Sequence, residues 1–520
     1  MFVVDPDTVR RVDAQTIEGG IAGTRLMDQA GRGAAAVLLD DEVPRRGTTV
    51  IVCGKGNNGG DGLVVARELH LAHEDVVAAV LTTELSGEAA WALADAREHG
   101  VRILTLGDDP VAALSDLLDE NPGVLLVDAV FGTGTRLPLR APYDGVARTM
   151  GECGRRIVGL DGPSGLDGAT GAVDRACPVA DVTIAFGLPK WGMVLAPGRA
   201  HCGRLHVIEL DFEVELVERE AQASEDRATW IDARWAAGRW PQRAVDAHKY
   251  RSGSVFAVGG ARGMSGAVAL ACNAAYRAGA GYVEATVPLS VAPIIDPLCV
   301  ETLVHGGAET DRGGLAASVL SGLVERAGRH GALLVGPGAG DDSETATLIL
   351  DLVERLDMPM VVDADGLNAA SRAGRDHDFA PVSVITPHTG ELSRLLGLDG
   401  ATIESDRRHH VREAARRLQT VVLHKGAPTF VAAPDGTLAV IATGGPELAT
   451  AGTGDVLAGA IAALLAAGVD AFDAACLGAF VHGDAGARAA RDLGVGPVMA
   501  HDVLDRLAFA VRDLERGGAR

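Results

Sequence analysis

Residues 48–72 read TTVIVCGKGNNGGDGLVVARELHLA. A β-branched apolar run is followed at once by Gly54-x-Gly56-x-x-Gly59, and then by a stretch with helical apolar spacing. Strand, glycine turn and helix form the unit from which parallel sheets are built. Glycines at this spacing let the main chain close on a pyrophosphate at a helix N-terminus. An ordinary Gly-rich strand–helix turn is the plain alternative. A turn that only holds a cofactor is sparing with polar side chains, yet Asn57, Asn58 and Asp61 crowd into this one. The stretch therefore sets the fold class and raises a question: is a dinucleotide held here as a tool, or as the thing worked on?

Working outward, short β-branched runs alternate with helix-like stretches through residues 48–210: DVVAAVLT, VRILTL, GVLLVDAV, RIVGLDG, DVTIAFG and RLHVIEL. The alternation predicts a mostly parallel, doubly wound Rossmann-like sheet with helices on both faces. Residues 8–41 read as one or two helices covering it. Residues 211–246 are acidic, then tryptophan-bearing, with no clear period, so the junction is expected near 212–240. The βα alternation then resumes with GSVFAVGG, YVEATVP, ALLVGPG, MPMVVDADG, SVITPH, TVVLHKG and TFVAAP. Two α/β domains are expected, residues 1–225 and 226–520, as suits a 520-residue chain.

The net charge of −23 argues against a broad nucleic-acid or anionic-membrane surface. The longest apolar stretch, near residue 460, is too short to span a bilayer. The opening MFVVDPDTVRRVDAQ is broken by charges, so no secretory signal is expected. Seven scattered cysteines form no C-x-x-C, which disfavours a disulfide framework and a zinc site. The expectation is a soluble cytoplasmic protein. Only four residues are lysine, namely Lys55, Lys190, Lys249 and Lys425; the other 43 of 47 basic residues are arginine. Codon bias explains the arginines. Lysines that persist under it are enriched where a compact ammonium is needed.

In an open α/β sheet the carboxyl ends of the strands converge on the binding crevice. Asp128 and Asp161 end two such strands. With Asn58 and Ser164, Asp128 would offer the oxygen ligands a hard cation takes. In the second half, ATAGTGDVLAGAIAALLAAG (449–468) opens a long helix with Ala451-Gly452-Thr453-Gly454-Asp455. Small residues there let successive backbone N–H groups point at a phosphate, and the helix dipole assists. Asp455 is placed to take a proton from a hydroxyl reacting at phosphorus, the alternative being a plain helix-start carboxylate.

Taken together, GKGNNGGDG, VDAVFGTGTRLP, LDGPSGLDGATG and AFGLPKWG resemble the NAD(P)H-hydrate epimerase family over most of residues 10–212. The resemblance implies that the damaged, hydrated dinucleotide is the substrate. It implies contacts from Asn57, Asn58, Gly59, Gly60 and Asp61, from Gly132, Thr133, Gly134, Thr135, Arg136, Leu137 and Pro138, and from Asp161. It implies K⁺ at Asn58, Asp128 and Ser164. Epimerisation at C6 needs acid–base groups, for which Asp161 is the first candidate and Lys190 the second. An exposed turn lysine is the plain reading of Lys190.

The 449–468 motif resembles the ribokinase superfamily. The segment HKYRSGSVFAVGGARGMSGAVALACNAAYRAGAGYVEATVP, with VGPGAG, VVDADGLNA, TPHTGELSRLLG and LHKGAPT, resembles its NAD(P)H-hydrate dehydratase branch. That implies substrate contacts at Ala267, Gly338 and His388, although a histidine after Pro387 could merely satisfy a turn. It implies adenine-nucleotide contacts at Lys425, Gly426, Ala427, Pro428, Thr429 and Gly454, and catalysis at Asp455. Lys249 and Lys425 would stabilise phosphate charge. Mg²⁺ is expected with the nucleotide, and Asp363 and Asp365 are carboxylates without an assigned role. ADP is expected over ATP, because bacterial relatives favour it and the composition suggests a high-GC prokaryote. NADH hydrate and NADPH hydrate are the expected substrates, and a homo-oligomer is expected. Three rival readings stay open. One is an oxidoreductase fused to a vitamin or sugar kinase. Another is a non-catalytic first half on a kinase-like second half, and the third a hydroxymethylpyrimidine-type kinase.

Overall fold

The computed structural model describes residues 1–40, 47–224, 227–243, 252–374, 379, 382–494 and 498–516. Lys249 lies outside the described residues. The chain divides into two compact units, Met1–Ala228 and Thr229–Arg520.

The first unit is built on a seven-stranded sheet. Its order, edge to edge, is Arg102–Thr105, Val76–Val80, Thr49–Cys53, Leu125–Ala129, Arg156–Leu160, Val182–Phe186 and Arg204–Ile208. Every neighbouring pair is parallel. All five residues of Thr49–Cys53 are buried, and the pleat sends them to two cores. Ile51 and Cys53 pack with Met27, Leu63 and Leu69 from the helices Gly23–Leu39 and Asn57–Leu71. Val50 and Val52 pack with Leu114 and Val146 from Pro110–Glu120 and Tyr143–Glu152. Thr49–Cys53 pairs with Val76–Val80 on one side and Leu125–Ala129 on the other. The strand order reverses there, so the loops after Cys53 and Ala129 diverge and leave a crevice. Two helices, Pro6–Glu18 and Gly23–Leu39, precede the sheet, as the sequence led one to expect.

The segment without a clear period does form regular structure: helix Val214–Ala223, strand Ala228–Trp230 and helix Ala233–Arg239. These helices are short and capped by single side chains or none, which leaves little periodic signal.

In the second unit the strand order is Ala228–Trp230, Leu438–Ile441, Thr429–Ala432, Val421–His424, Val384–Ile385, Met360–Val362, Ala332–Val335, Ser254–Val258, Tyr282–Pro288 and Leu303–Gly307. The strands from Val421–His424 to Leu303–Gly307 run parallel. Thr429–Ala432 folds back antiparallel to Val421–His424, and Leu438–Ile441 antiparallel to it in turn. The largest core lies under the helices Ser265–Arg277, Thr453–Ala466, Ala471–Leu493 and Ala500–Glu515. Thr453–Ala466 is apolar almost all round, because neighbours cover it on several sides. A Cβ on Gly459 would lie 2.0 Å from the Ala271 carbonyl oxygen, so only glycine lets these two helix backbones touch.

Candidate active sites

At the carboxyl ends of the first sheet lies a cavity of about 440 Å³. The glycine turn forms one edge. A Cβ on Gly54 would meet the Val130 carbonyl oxygen at 2.0 Å, and one on Gly59 the Gly54 carbonyl oxygen at the same distance. The turn is thereby pulled tight and aims the start of helix Asn57–Leu71 at the cavity. Asn57, Asn58, Asp61, Gly132, Thr133, Gly134, Thr135, Asp161 and Lys190 all line it. Gly59 and Gly60 are buried in the helix's first turn, and Gly60 packs against Met27. Arg136, Leu137 and Pro138 continue the loop beyond the lining.

Lys190 is not an exposed turn lysine. It is 1% exposed, and its ammonium donates to Asp161 Oδ1 and to the Phe186 carbonyl oxygen at 2.9 Å. Asp161 also accepts from Thr133 Oγ1 at 3.0 Å and from the Phe186 N–H at 3.2 Å. It holds φ +52°, an uncommon conformation for a residue with a Cβ and one that clusters at working sites. Burial, followed by the charges of Asp161 and Asp13, raises the Asp61 pKa well above the usual carboxylate range.

Behind this pair sits an oxygen-rich nest. Asp128, fully buried, accepts from Ser164 Oγ at 2.6 Å, from the Ser164 N–H at 2.7 Å and from the Val130 N–H at 3.2 Å. Burial pushes its pKa up to about 6, against the pull of those hydrogen bonds. Both polar atoms of the Asn58 amide are buried with no hydrogen-bond partner among the described residues. A buried, unpartnered amide costs on the order of 1–3 kcal/mol, so this geometry suits an oxygen-seeking ligand.

The cavity wall also includes residues that the sequence reading did not single out. Pro6, Val9, Arg10, Asp13 and Ile17 come from the first helix, and Glu88 from a later one. The spacing 6, 9, 10, 13, 17 marks one helix face, but nothing in the sequence says that this face meets a cavity.

In the second unit the candidates again gather at strand ends. Lys425 follows Val421–His424, and its Nζ lies 2.9 Å from Asp363 Oδ1 and 3.7 Å from Glu391 Oε2. Burial opposes its charge, but Asp363 and Glu391 more than offset this and raise its pKa. Asp455 stands in the first turn of Thr453–Ala466. Burial, and then the Asp363 charge, lifts its pKa to about 7, with Lys425 opposing. A Cβ on Gly454 would come within 3.4 Å of Lys425 Nζ and 3.9 Å of Asp363 Oδ2. Gly338, at φ +60°, touches Ala267: a Cβ there would lie 3.0 Å from the Ala267 Cβ. Residues 425–429 bend between the two antiparallel strands, with Thr429 Oγ1 donating to the Gly426 carbonyl oxygen at 3.1 Å.

His388 does satisfy a turn, as the N-cap of helix Thr389–Leu396. Its Nδ1 accepts from the Gly390 N–H at 2.9 Å, and Glu391 accepts from its own N–H at 2.9 Å. Burial, followed by the Lys425 charge, lowers its pKa and so favours the neutral ring. Asp365 is engaged by the Gly340 N–H at 2.8 Å and by Asn368 Nδ2 at 3.2 Å. Between the two aspartates Ala364 adopts φ +51° and ψ −115°. Arg407, largely buried, was also missed. It lies against Gly426, where a Cβ would meet its Nη2 at 2.2 Å, and it stacks over Phe430. In the sequence it opens the run RRHHVREAARRL and reads as part of a solvated face. A second cavity of about 510 Å³, lined by Trp240, Tyr276 and Arg512 among others, holds none of the predicted residues. On the same helix as Arg407, ligand atoms of His409, His410 and Glu413 lie within 4.8 Å of one another, a metal-capable group outside both sets. Among the described residues, no helix is long and apolar enough to cross a membrane.

Both halves match family models. Residues 23–192 match the YjeF-related protein N-terminus, and residues 255–508 match the NAD(P)H-hydrate dehydratase family. The chain is 39% identical over 470 residues to the bifunctional NAD(P)H-hydrate repair enzyme Nnr of Moorella thermoacetica, covering 90% of this chain and 88% of that one. It is 37% identical to the protein of the same name from Salinibacter ruber, covering 97% and 95%. Among solved structures, an ADP/ATP-dependent NAD(P)H-hydrate dehydratase from Bacillus subtilis, co-crystallised with ATP/Mg²⁺, aligns with 25% identity and a TM-score of 0.48 over 55% of this chain and 99% of that one. On the strength of the full-length matches, the chain belongs to the family of bifunctional NAD(P)H-hydrate repair enzymes.

Proposed function

We propose that residues 1–225 interconvert the R and S forms of NADH and NADPH hydrated at C6, and that residues 226–520 dehydrate the S form with ADP, or ATP, as phosphoryl donor. The dinucleotide in the glycine turn is then the substrate. The observation that carries this reading is the presence in one chain of two partly buried carboxylate–lysine constellations at strand ends, Asp161–Lys190 and Asp363–Lys425–Asp455. A hydroxyl leaves poorly. Phosphorylated at C6 it leaves well, expelled by the ring nitrogen, so a kinase-like fold serves a dehydratase. Asp455 would take the proton of the C6 hydroxyl, and Lys425 would face the phosphate charge.

K⁺ fits the first unit. Asn58 Oδ1 is buried and unpartnered, Asp128 is a buried carboxyl, and Ser164 adds a hydroxyl oxygen. When bound there, the ion would offset the Asp128 charge and fix the loops that hold the substrate. Mg²⁺ would enter the second unit with the nucleotide; Asp363 and Asp455 are hard oxygen donors of the right kind. A strip of exposed apolar residues beside the edge strand Leu303–Gly307, namely Leu289, Ile294, Leu298, Val300 and Leu303, supports a homo-oligomer. Seven free thiols suit a reducing cytoplasm.

The test mixes the full chain with racemic NADH hydrate and ADP or ATP, and follows regained NADH absorbance. Complete conversion is expected, faster with ADP. Asp455→Asn should regain NADH roughly 10²–10⁴-fold more slowly while still racemising a single epimer. Conversion that stops near half with the wild type would overturn the assignment of the first unit.

A further inference from the structure

We propose that Asp13, on the N-terminal helix, is a second acid–base residue of the first unit's site, serving the face of the substrate ring turned away from the Asp161–Lys190 pair. The inference rests on the epimerase reading above.

The helix Pro6–Glu18 is fixed at its N-terminal end. Asp5 caps it, accepting from the Thr8 N–H at 2.8 Å. Just before it, the Val4 N–H donates to the Pro189 carbonyl oxygen, and the Trp191 N–H donates to the Val4 carbonyl oxygen, each at 3.2 Å. The chain therefore grips the backbone on both sides of Lys190 before it turns into the helix. Position along this helix is set by the same contact that positions Lys190. One flank of the helix is tied down by Glu220, which accepts from Arg11 Nε and Gln15 Nε2 at 2.9 Å each. Thr8, Val12 and Thr16 are buried. What remains, Pro6, Val9, Arg10, Asp13 and Ile17, lines the cavity. Asp13 is the one carboxylate in that face.

Its state is unlike that of the other aspartates of this helix. Asp5 is spent on the cap and Asp7 on Arg10. Asp13 is half-buried and has no hydrogen-bond or ion-pair partner among the described residues. Burial, followed by the Glu88 charge, raises its pKa, with Lys190 opposing. The groups around it are Arg10 on its own helix, Glu88, Asp61 on the helix after the glycine turn, and Asp161 and Lys190 at the strand ends. An unpaired carboxyl whose burial favours the protonated form, facing a substrate-sized cavity, is what general acid catalysis requires.

The chemistry needs such a partner. Inversion at C6 breaks a C–O bond on one face and makes one on the other. Protonated Asp13 gives its proton to the C6 hydroxyl; the C6–O bond breaks, and its electron pair leaves with water. The ring nitrogen's lone pair forms a C6=N bond. A solvent water then adds to C6 from the opposite face, and Asp161 takes its proton. Asp13 ends ionised and Asp161 protonated, and solvent restores both. In the reverse direction the two carboxyls exchange roles. Groups on two walls of the cavity, one made of strand ends and one of the helix, supply both faces.

The test uses the full chain without nucleotide, so that the dehydratase is silent, and separates the two epimers of NADH hydrate chromatographically. Asp13→Asn should lower the epimerase kcat by about 10²–10⁴-fold with KM changed by less than about threefold. Asp13→Glu should recover part of it. Dehydratase turnover of the S epimer, measured on the same variant protein with ADP, should equal wild type and report that the chain is folded. In ¹⁸O-water, the inverted epimer from wild type should carry ¹⁸O at C6 from the first turnover. Asp13→Asn with kcat near wild type, or inverted product that retains ¹⁶O, would overturn the proposal. A wild type that fails to interconvert the epimers would overturn the epimerase reading itself, an outcome distinct from either.

Discussion

The Lys425 ammonium lies 2.9 Å from the Asp363 carboxylate, with Asp455 coupled to both. Burial, followed by the Asp363 charge, raises the Asp455 pKa to about 7, against the opposing Lys425 charge. A base must be ionised to work, so dehydratase kcat should rise with pH through about 7. Asp455→Asn should cut it by roughly 10²–10⁴-fold and leave epimerase activity untouched. Stability runs the other way. The folded pKa exceeds the unfolded value of about 3.9. The contribution of this group is full below about pH 4 and is lost as pH rises through about 7. Thermal unfolding and steady-state rates across pH 4–9 measure both.

Lys425→Met removes the cation that opposes the rise. The midpoint of the dehydratase pH profile should move upward, and nucleotide KM should increase as phosphate loses its ammonium. A midpoint that moves down would mean that Asp455 is not the group being titrated.

For the cation, wild type should unfold at a higher temperature in KCl than in a salt of a large organic cation, because binding to the folded state alone stabilises it. Asp128→Ala should abolish that difference and lose epimerase activity. It also strips the Ser164 and Val130 N–H groups of their acceptor, at about 1–3 kcal/mol for each left unsatisfied. Loss of the K⁺ effect alongside a folded second unit, seen as unchanged dehydratase turnover, separates site from scaffold.

Lys190→Met keeps the volume of a fully buried side chain and removes its charge. Asp161 then faces Asp61 without a counter-ion. Epimerase activity should vanish, and the first unit should lose up to about 3 kcal/mol in urea unfolding. Wild-type stability in Lys190→Met would mean that the pair is solvated in solution.

Much of this is legible in the sequence alone. The run 48–72 announces strand, turn and helix because each step has its own chemistry: β-branching, glycine, helical spacing. Asp128, Asp161, Lys425 and Asp455 stand at strand ends or a helix start, where residue type and position together speak. What stayed hidden depended on the third dimension. Lys190 sits among Gly and Pro, a context typical of exposed turns, and only the Val4 bridge and the Phe186 carbonyl oxygen bury it. Asp13 belongs to a helix whose two flanks look alike until Glu220 claims one of them. Arg407 is surrounded in sequence by charges that do face water, and Phe430, which covers it, lies 23 residues on.

Ala364 sits between Asp363 and Asp365 in a backbone state that costs a residue with a Cβ roughly 1–3 kcal/mol. That kink lets two nearly adjacent carboxylates part company, one going to Lys425 and the other to the Gly340 N–H. It also narrows the alphabet open to drift at this position. Valine, isoleucine and threonine are shut out by their branching, whereas glycine fits freely and would stiffen nothing. Ala364→Gly is therefore a step with two opposed outcomes: relief of strain in the folded chain, and a hinge where the two acids now point apart by constraint.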